Sequence, residues 1–457
     1  MGTVMSFTRS GVDDGVNAVA MDSTSFRQRI SRHTPLVGAY VSLLLFMVVY
    51  CARPEDWIPG LSVVPLAKMT GVLALLGLMF SLRRIRPSLP PEVIYLLLLV
   101  GQLFVAAAFS PVWRGGSVQT TLDFAKVLVI VVVMSVAVNT ARRLRGLIFV
   151  QAASVAAIAA VAILKGHLLL GRLEGTLDAY YSDPNDLALA IIISLPLCLA
   201  LLFLNRGVLQ RVAWALAMLV MLYVVFSTGS RGGFVALIVT AAVLLWEFAI
   251  RGRRRYLLAL GVLAGIVLWQ FSSGMLVGRL KGMFNRNEDT AASYDSAEAR
   301  RQLFWRSVEV TKQHPLFGVG PGNFQELSGN WHVTHNSFTQ MSAEGGIPAF
   351  VLYVLILWCG FKNLRATKRL ARGRTESSLL GRALLASLAG YVAGSLFLSV
   401  SYAFFPYFLV AYTTAFFGIA KRSATHTKQF KSVSQKMPEK ETWALLQAAT
   451  NSPGWAQ

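Results

Sequence analysis

Apolar residues along this chain come in runs of about 18 to 22, long enough to cross the hydrocarbon core of a bilayer as a helix. Lipid has no water to satisfy an open sheet edge, so such runs fold as helices rather than strands. They fall near 36–52, 61–82, 91–110, 121–139, 146–164, 185–205, 211–228, 232–250, 256–273, 336–361, 380–400 and 403–420. The expected fold is therefore an all-α integral membrane protein of about twelve transmembrane helices. With 55% of its 457 residues hydrophobic and 14% charged, the chain has too little polar surface for a soluble domain of this length.

A net charge of +21 suggests nucleic acid at first sight. The cations are distributed otherwise. "RQRISRH" precedes the first run, Arg83, Arg84 and Arg86 follow the second, Arg142, Arg143 and Arg145 precede the fifth, and "RGRRR" and "KNLRATKRLARGR" close the eighth and tenth. All lie at alternate ends of successive runs, the pattern by which positive charge sets orientation. That side is read as the cytoplasm, with both termini on it. The connections at 53–60, 111–120, 165–184, 229–231, 274–335 and 401–402 then lie outside, and no nucleic-acid partner is expected.

The three cysteines, Cys51, Cys198 and Cys359, lie in or beside apolar runs and form neither a disulfide framework nor a metal-binding spacing. The first 35 residues have no signal-peptide pattern and are expected to be a cytoplasmic segment, with the first span acting as its own insertion signal. The expected organisation is nine transmembrane helices over 36–273, one large periplasmic loop over 274–335, three more helices over 336–421, and a flexible cytoplasmic tail over 422–457.

The loop at 274–335 contains "YDSAEARRQLFWRSVEVTKQHPLFGVGPGNF", whose pattern predicts an amphipathic helix starting near Asp295 or Ser296 and stopping before Pro315. "GVGPGN" reads as a tight turn, because no strand precedes it and the Lys-Ser/Thr end of a phosphate loop is missing. Ahead of the sixth run, "DPND" either caps a helix or brings Asn185, with Tyr180 and Tyr181, into an outside cleft.

Arg231, in "STGSRGG", sits where a tight turn leads into a helix. Unpaired amides and the positive end of the helix dipole favour an anion there, and a guanidinium adds a planar fork suited to phosphate. Simple snorkelling to the interface is the alternative. Outside cations are few, since orientation works against them; the further candidates among them are Arg53, Arg114, Lys126, Arg172, Arg279, Arg300, Arg301 and Arg306. Lys126 follows Asp123 by three residues, so an ion pair within the helix competes with a substrate contact. In "HVTHNSFTQMSAEGG", His335 and Asn336 open the tenth span and Glu344 lies within it. An ionisable group at such depth points to function. His335 suits a general base, or else a helix cap. His332 and His335 lack the accompanying ligands of a metal site.

Together, "STGSRGG", "ARRQLFWRSVEVTKQHPLFGVGPGNF" and "HNSFTQMSAEGG", in this order and on one face, with "DPNDLALA" before the sixth span, resemble the O-antigen ligase and polysaccharide polymerase superfamily of bacterial inner membranes. The resemblance spans roughly residues 120 to 420. It implies a metal-independent glycosyltransferase without cofactor that moves a glycan from undecaprenyl pyrophosphate to an acceptor hydroxyl on the periplasmic side. The acceptor is a lipid A core in a ligase and a second lipid-linked glycan in a polymerase. Carried over, Arg231 and Arg301 hold the pyrophosphate, with Arg300 or Arg306 as substitutes for Arg301, and His335 orients or deprotonates the acceptor. Asn185, Asn336, Lys126 and Glu344 are candidate substrate contacts. The competing expectation is a polytopic transporter of small anions or lipid-linked sugars, which calls for polar residues at mid-bilayer.

Overall fold

The computed structural model describes residues 36–82, 89–169, 172–175, 181–270, 291–329, 331–370 and 375–434. In chain order its helices are α1 (Val37–Ala52), α2 (Leu66–Leu82), α3 (Pro91–Ala108), α4 (Arg114–Ala137), α5 (Ala141–Lys165), α6 (Pro184–Leu204), α7 (Val208–Ser227), α8 (Arg231–Leu244), α9 (Tyr256–Gln270), α10 (Ala291–Gln313), α11 (Ser337–Leu370), α12 (Thr375–Ser395) and α13 (Phe405–Ser434). Between α5 and α6 a hairpin pairs β1 (Leu168–Leu169) with β2 (Arg172–Leu173) antiparallel. Each of the twelve apolar runs carries one of these helices, and α10 is the additional helix in the long loop.

Seven of the described helices are long and apolar enough to cross a membrane by length and composition, among them α6, α8 and α11; α1, α2 and α9 carry shorter apolar stretches. The protein is thus an all-α, multi-pass membrane type. α6 is the central post, buried along most of its length. It packs on α5, α7, α8 and α12. Asp183 caps its start by accepting from the Asn185 amide at 2.6 Å, and Pro184 occupies the first helical position, where no amide partner is needed.

Two departures from the sequence reading matter. α13 continues to Ser434, so helix extends into the first part of the segment expected as a flexible tail. More importantly, the tenth run is not a clean span. α11 breaks at Gly346, which adopts φ 79°. The turn at 315–323 docks on this break: Val319 and Gly320 donate their amides to the Ala343 and Glu344 carbonyls at 2.9 Å each, and Ile347 donates to the Pro315 carbonyl at 2.8 Å. Backbone that leaves the helix inside an apolar environment must find partners elsewhere in the protein. Here the loop supplies them. Gln102 on α3 completes the junction by donating to Leu316 and Gly345 carbonyls at 2.8 and 3.0 Å.

Hydrogen bonds gather the connections expected outside at one end of the bundle. Lys165 donates to the Trp57 carbonyl and Tyr181 to the Cys51 carbonyl, while Arg172 reaches Thr228 and Asn323 reaches Trp113. Asn336 reaches Leu396 at the end of α12. At the other end Arg145 pairs with Glu376 and Arg422 donates to the Asn139 carbonyl.

A candidate active site at one end of the bundle

Three chain segments meet at the start of α6. Asn185, buried at its first turn, accepts from the Ser230 hydroxyl at 2.6 Å and from Arg172 at 3.2 Å through one oxygen. Its own amide nitrogen donates to Asp183 at 2.9 Å. Arg172 also donates to the Thr228 carbonyl at 2.9 Å, so the hairpin closes over the turn between α7 and α8. The second segment is that turn. Gly229 has φ 58°, and Ser230 caps α8 by accepting from the Gly233 amide at 3.0 Å. Arg231 follows as the first helical residue.

The glycines around Arg231 serve helix packing. A Cβ on Gly232 would fall 2.6 Å from the Phe397 side chain, and one on Gly233 3.0 Å from Ala188 of α6. Their absence of side chains lets the start of α8 lie against α6 and places Arg231 beside the Asp183–Asn185 corner.

The third segment carries His335, just ahead of α11. Burial, the guanidinium of Arg300 and the nearby His332 ring lower the pKa of this imidazole, the carboxylate of Asp183 opposes them, and the balance lowers it to about 4. Desolvation is the largest influence, as expected for a half-buried cation. His335 is therefore neutral at pH 7 and has a lone pair available for a proton. Its backbone is left-handed, with φ 52°, a conformation costly for a residue with a side chain.

The geometry sorts the other candidates. Arg300 on α10 lies within electrostatic reach of His335. Arg301 pairs instead with Glu298 at 3.8 Å and keeps a side chain 68% exposed. Arg306 donates to the Leu327 carbonyl at 3.0 Å. Arg301 and Arg306 share the outward groove of α10 with Trp305 and Lys312. Asn336 caps α11 by accepting from the Phe338 and Thr339 amides at 2.9 and 3.1 Å. Lys126 pairs with Asp123 on the same helix, with both side chains 52% exposed.

Glu344 is only 3% exposed. It accepts from Tyr402 at 2.8 Å and from the backbone of Gly322 and Phe324, so its carboxylate holds the 315–324 turn against the break in α11. Tyr181 is buried against α1, while Tyr180 and Arg279 fall outside the described residues. α10 begins at Ala291, ahead of the expected start, and ends before Pro315 as expected. Asp183 and Arg172 are the site residues that sequence reasoning undervalued: the first was read as a cap, the second only as one of several outside cations.

Apolar helices around a cationic, histidine-bearing corner at one end define a multi-pass membrane protein with a polar site at its surface. Residues 216–354, about a third of the chain, match the family model described as O-antigen ligase, so this part of the chain is similar to that family. The matched stretch contains Arg231, Arg300 and His335. No curated protein matches the chain.

Proposed function

We propose that this protein transfers a glycan from undecaprenyl pyrophosphate to an acceptor hydroxyl at the periplasmic face of the inner membrane. The observation that carries the reading is that Arg300 and Asp183 both lie within electrostatic reach of His335, with Asp183 tied through Asn185 to the helix start that bears Arg231. When the bond between the anomeric carbon and the phosphate oxygen breaks, negative charge grows on the departing pyrophosphate. Arg231 and Arg300 stabilise that charge from fixed positions, so the site needs no metal ion for it. Arg300 takes this role in place of Arg301, whose guanidinium is engaged by Glu298.

His335, neutral before the donor arrives, takes the proton of the acceptor hydroxyl as the oxygen attacks. Asp183 then offsets the positive charge on the imidazole. Asn185 contributes by position: it fixes Arg172, Ser230 and Asp183 relative to one another. A direct displacement inverts the anomeric configuration, and the lipid tail of the donor remains in the bilayer between helices.

Reconstituted protein supplied with a lipid-linked oligosaccharide and excess EDTA is expected to release undecaprenyl pyrophosphate and form a product of inverted linkage, read by NMR. Loss of transfer on chelation, restored by a divalent ion, would overturn metal independence. Retained configuration would overturn direct displacement. Lipid A core against a second lipid-linked repeat as acceptor, compared in the same assay, separates ligase from polymerase.

A further inference from the structure

At the end of the bundle away from His335, one carboxylate gathers more cations than it can balance. α8 continues past Leu244 as a π-helical turn over Leu245–Ile250, and this wider turn carries Glu247, whose side chain is 4% exposed. Arg251 pairs with it at 2.5 Å, Lys368 of α11 at 3.5 Å and Arg382 of α12 at 3.9 Å. Arg254 lies over the Phe203 ring at 3.8 Å. Arg251 and Arg254 both stand close enough to Arg382 to repel it. Among the described residues, three cations thus pair with one acid, and Arg254 stands near one of them.

The cluster's position follows from the helices themselves. Arg231 opens α8 and Glu247 lies sixteen residues on, roughly 24 Å away at a rise of about 1.5 Å per residue. α11 starts beside His335 and bears Lys368 near its far end, whereas α12 bears Arg382 near its start and finishes by Asn336. All three helices place the cluster in the leaflet opposite the candidate active site, whichever way the protein is inserted.

Neutralising Glu247 requires one cation, and orientation by positive charge requires only that cations be near the interface. Neither accounts for Arg254, which stands within repelling reach of Arg382. Nor does either explain why Arg254 Nη1 is buried with no acceptor among the described residues. A buried guanidinium donor without a partner is costly, and a phosphate oxygen is the acceptor it fits best. Basic clefts between spanning helices at the membrane surface suit the phosphates of lipid headgroups.

We propose that the cation cluster formed by the 251–254 turn, Lys368 and Arg382 binds the headgroup phosphate of an anionic phospholipid in that leaflet.

The full-length protein, purified in neutral detergent and stripped of lipid, is titrated with phosphatidylglycerol, with phosphatidylcholine and with inorganic phosphate, and bound lipid is counted by native mass spectrometry. Wild type should retain phosphatidylglycerol over phosphatidylcholine, and Lys368→Gln should weaken that retention by roughly fivefold, the effect of removing one cation near the surface. The Lys368 side chain is 64% exposed, so this variant keeps the fold. The double variant Arg254→Gln with Arg382→Gln should abolish the preference. Equal retention of the two lipids by wild type, or an unchanged preference in Lys368→Gln, would overturn the proposal. Displacement of the lipid by inorganic phosphate at equal concentration would do so too, by assigning the cluster to a soluble anion. The readout is independent of glycan transfer.

Discussion

Arg300 lies within electrostatic reach of the His335 imidazole and lowers its pKa, while Asp183, at the start of α6, opposes that effect. The two come from different elements: α10 carries the guanidinium, and the residue ahead of α11 carries the imidazole. A ligand that bridges them needs negative charge at one end and an acidic hydrogen at the other, which is the arrangement of a pyrophosphate donor beside an acceptor hydroxyl.

The adjacent arginines should separate in function. Arg300→Ala is expected to lower kcat/KM for transfer by about 10² or more, the effect of removing a fixed charge-stabilising donor. Arg301→Ala, which breaks only an exposed pair with Glu298, should cost no more than a few-fold. Steady-state kinetics with the lipid-linked donor decide this, and comparable losses in both variants would return Arg301 to the site.

The pH dependence has a definite sign. The pKa of His335 is lowered to about 4, so the free protein keeps its base deprotonated until the pH falls well below the usual histidine range. The acid limb of kcat/KM assigned to His335 should therefore lie below the ordinary pKa of about 6.5. A bound pyrophosphate adds negative charge nearby and should move the limb of kcat upward. Arg300→Gln removes a repelling cation and should raise the His335 pKa in the free protein. Nitrogen NMR of labelled histidine can read that shift, and a fall or no change would contradict the stated electrostatics.

The break in α11 is structural. A Cβ on Gly346 would sit 2.4 Å from the Leu316 carbonyl oxygen, at a backbone φ that other residues avoid. Gly346→Ala should thus destabilise the protein by more than about 2 kcal/mol, or prevent its folding, as read by thermal unfolding in detergent. Glu344→Ala strips the acceptor from Tyr402 and from the Gly322 and Phe324 amides, at a cost of about 1–3 kcal/mol for each group left unpaired away from water. Glu344→Gln keeps an acceptor oxygen and should be milder; a transfer defect in a fully stable Glu344→Gln would show that this acid touches substrate.

Asn185 is expected to matter for kcat without contacting the donor. Asn185→Ala leaves the Ser230 hydroxyl and Arg172 without their shared acceptor, so both ends of the corner loosen. Activity should fall while the KM for donor changes little, and a rise confined to KM would instead indicate direct binding.

Much of this architecture was readable in the sequence, because each apolar run had one dominant solution in lipid. Runs such as 185–205 and 232–250 became α6 and the helix beginning at Arg231 with small changes at their ends. The site was readable in part. Arg231 and His335 carried local signals, a tight turn before a helix and a histidine opening a span. The choice between Arg300 and Arg301 did not, since adjacent residues on a helix point about 100° apart and only packing decides which one faces inward. Likewise "AEGGIP" fits an apolar run until the 315–323 turn is seen supplying its backbone partners. Arg172 depended on a contact 56 residues away with Thr228, which no local pattern encodes.

The most direct test uses wild type, His335→Ala and Arg231→Ala proteins in liposomes with an undecaprenyl pyrophosphate oligosaccharide and acceptor, with products weighed by mass spectrometry. Wild type should transfer the glycan and release undecaprenyl pyrophosphate. Each variant, inserted and folded, should be slower by about 10² or more. Transfer by His335→Ala at the wild-type rate, or no transfer by folded wild type with either acceptor, would contradict the site described here.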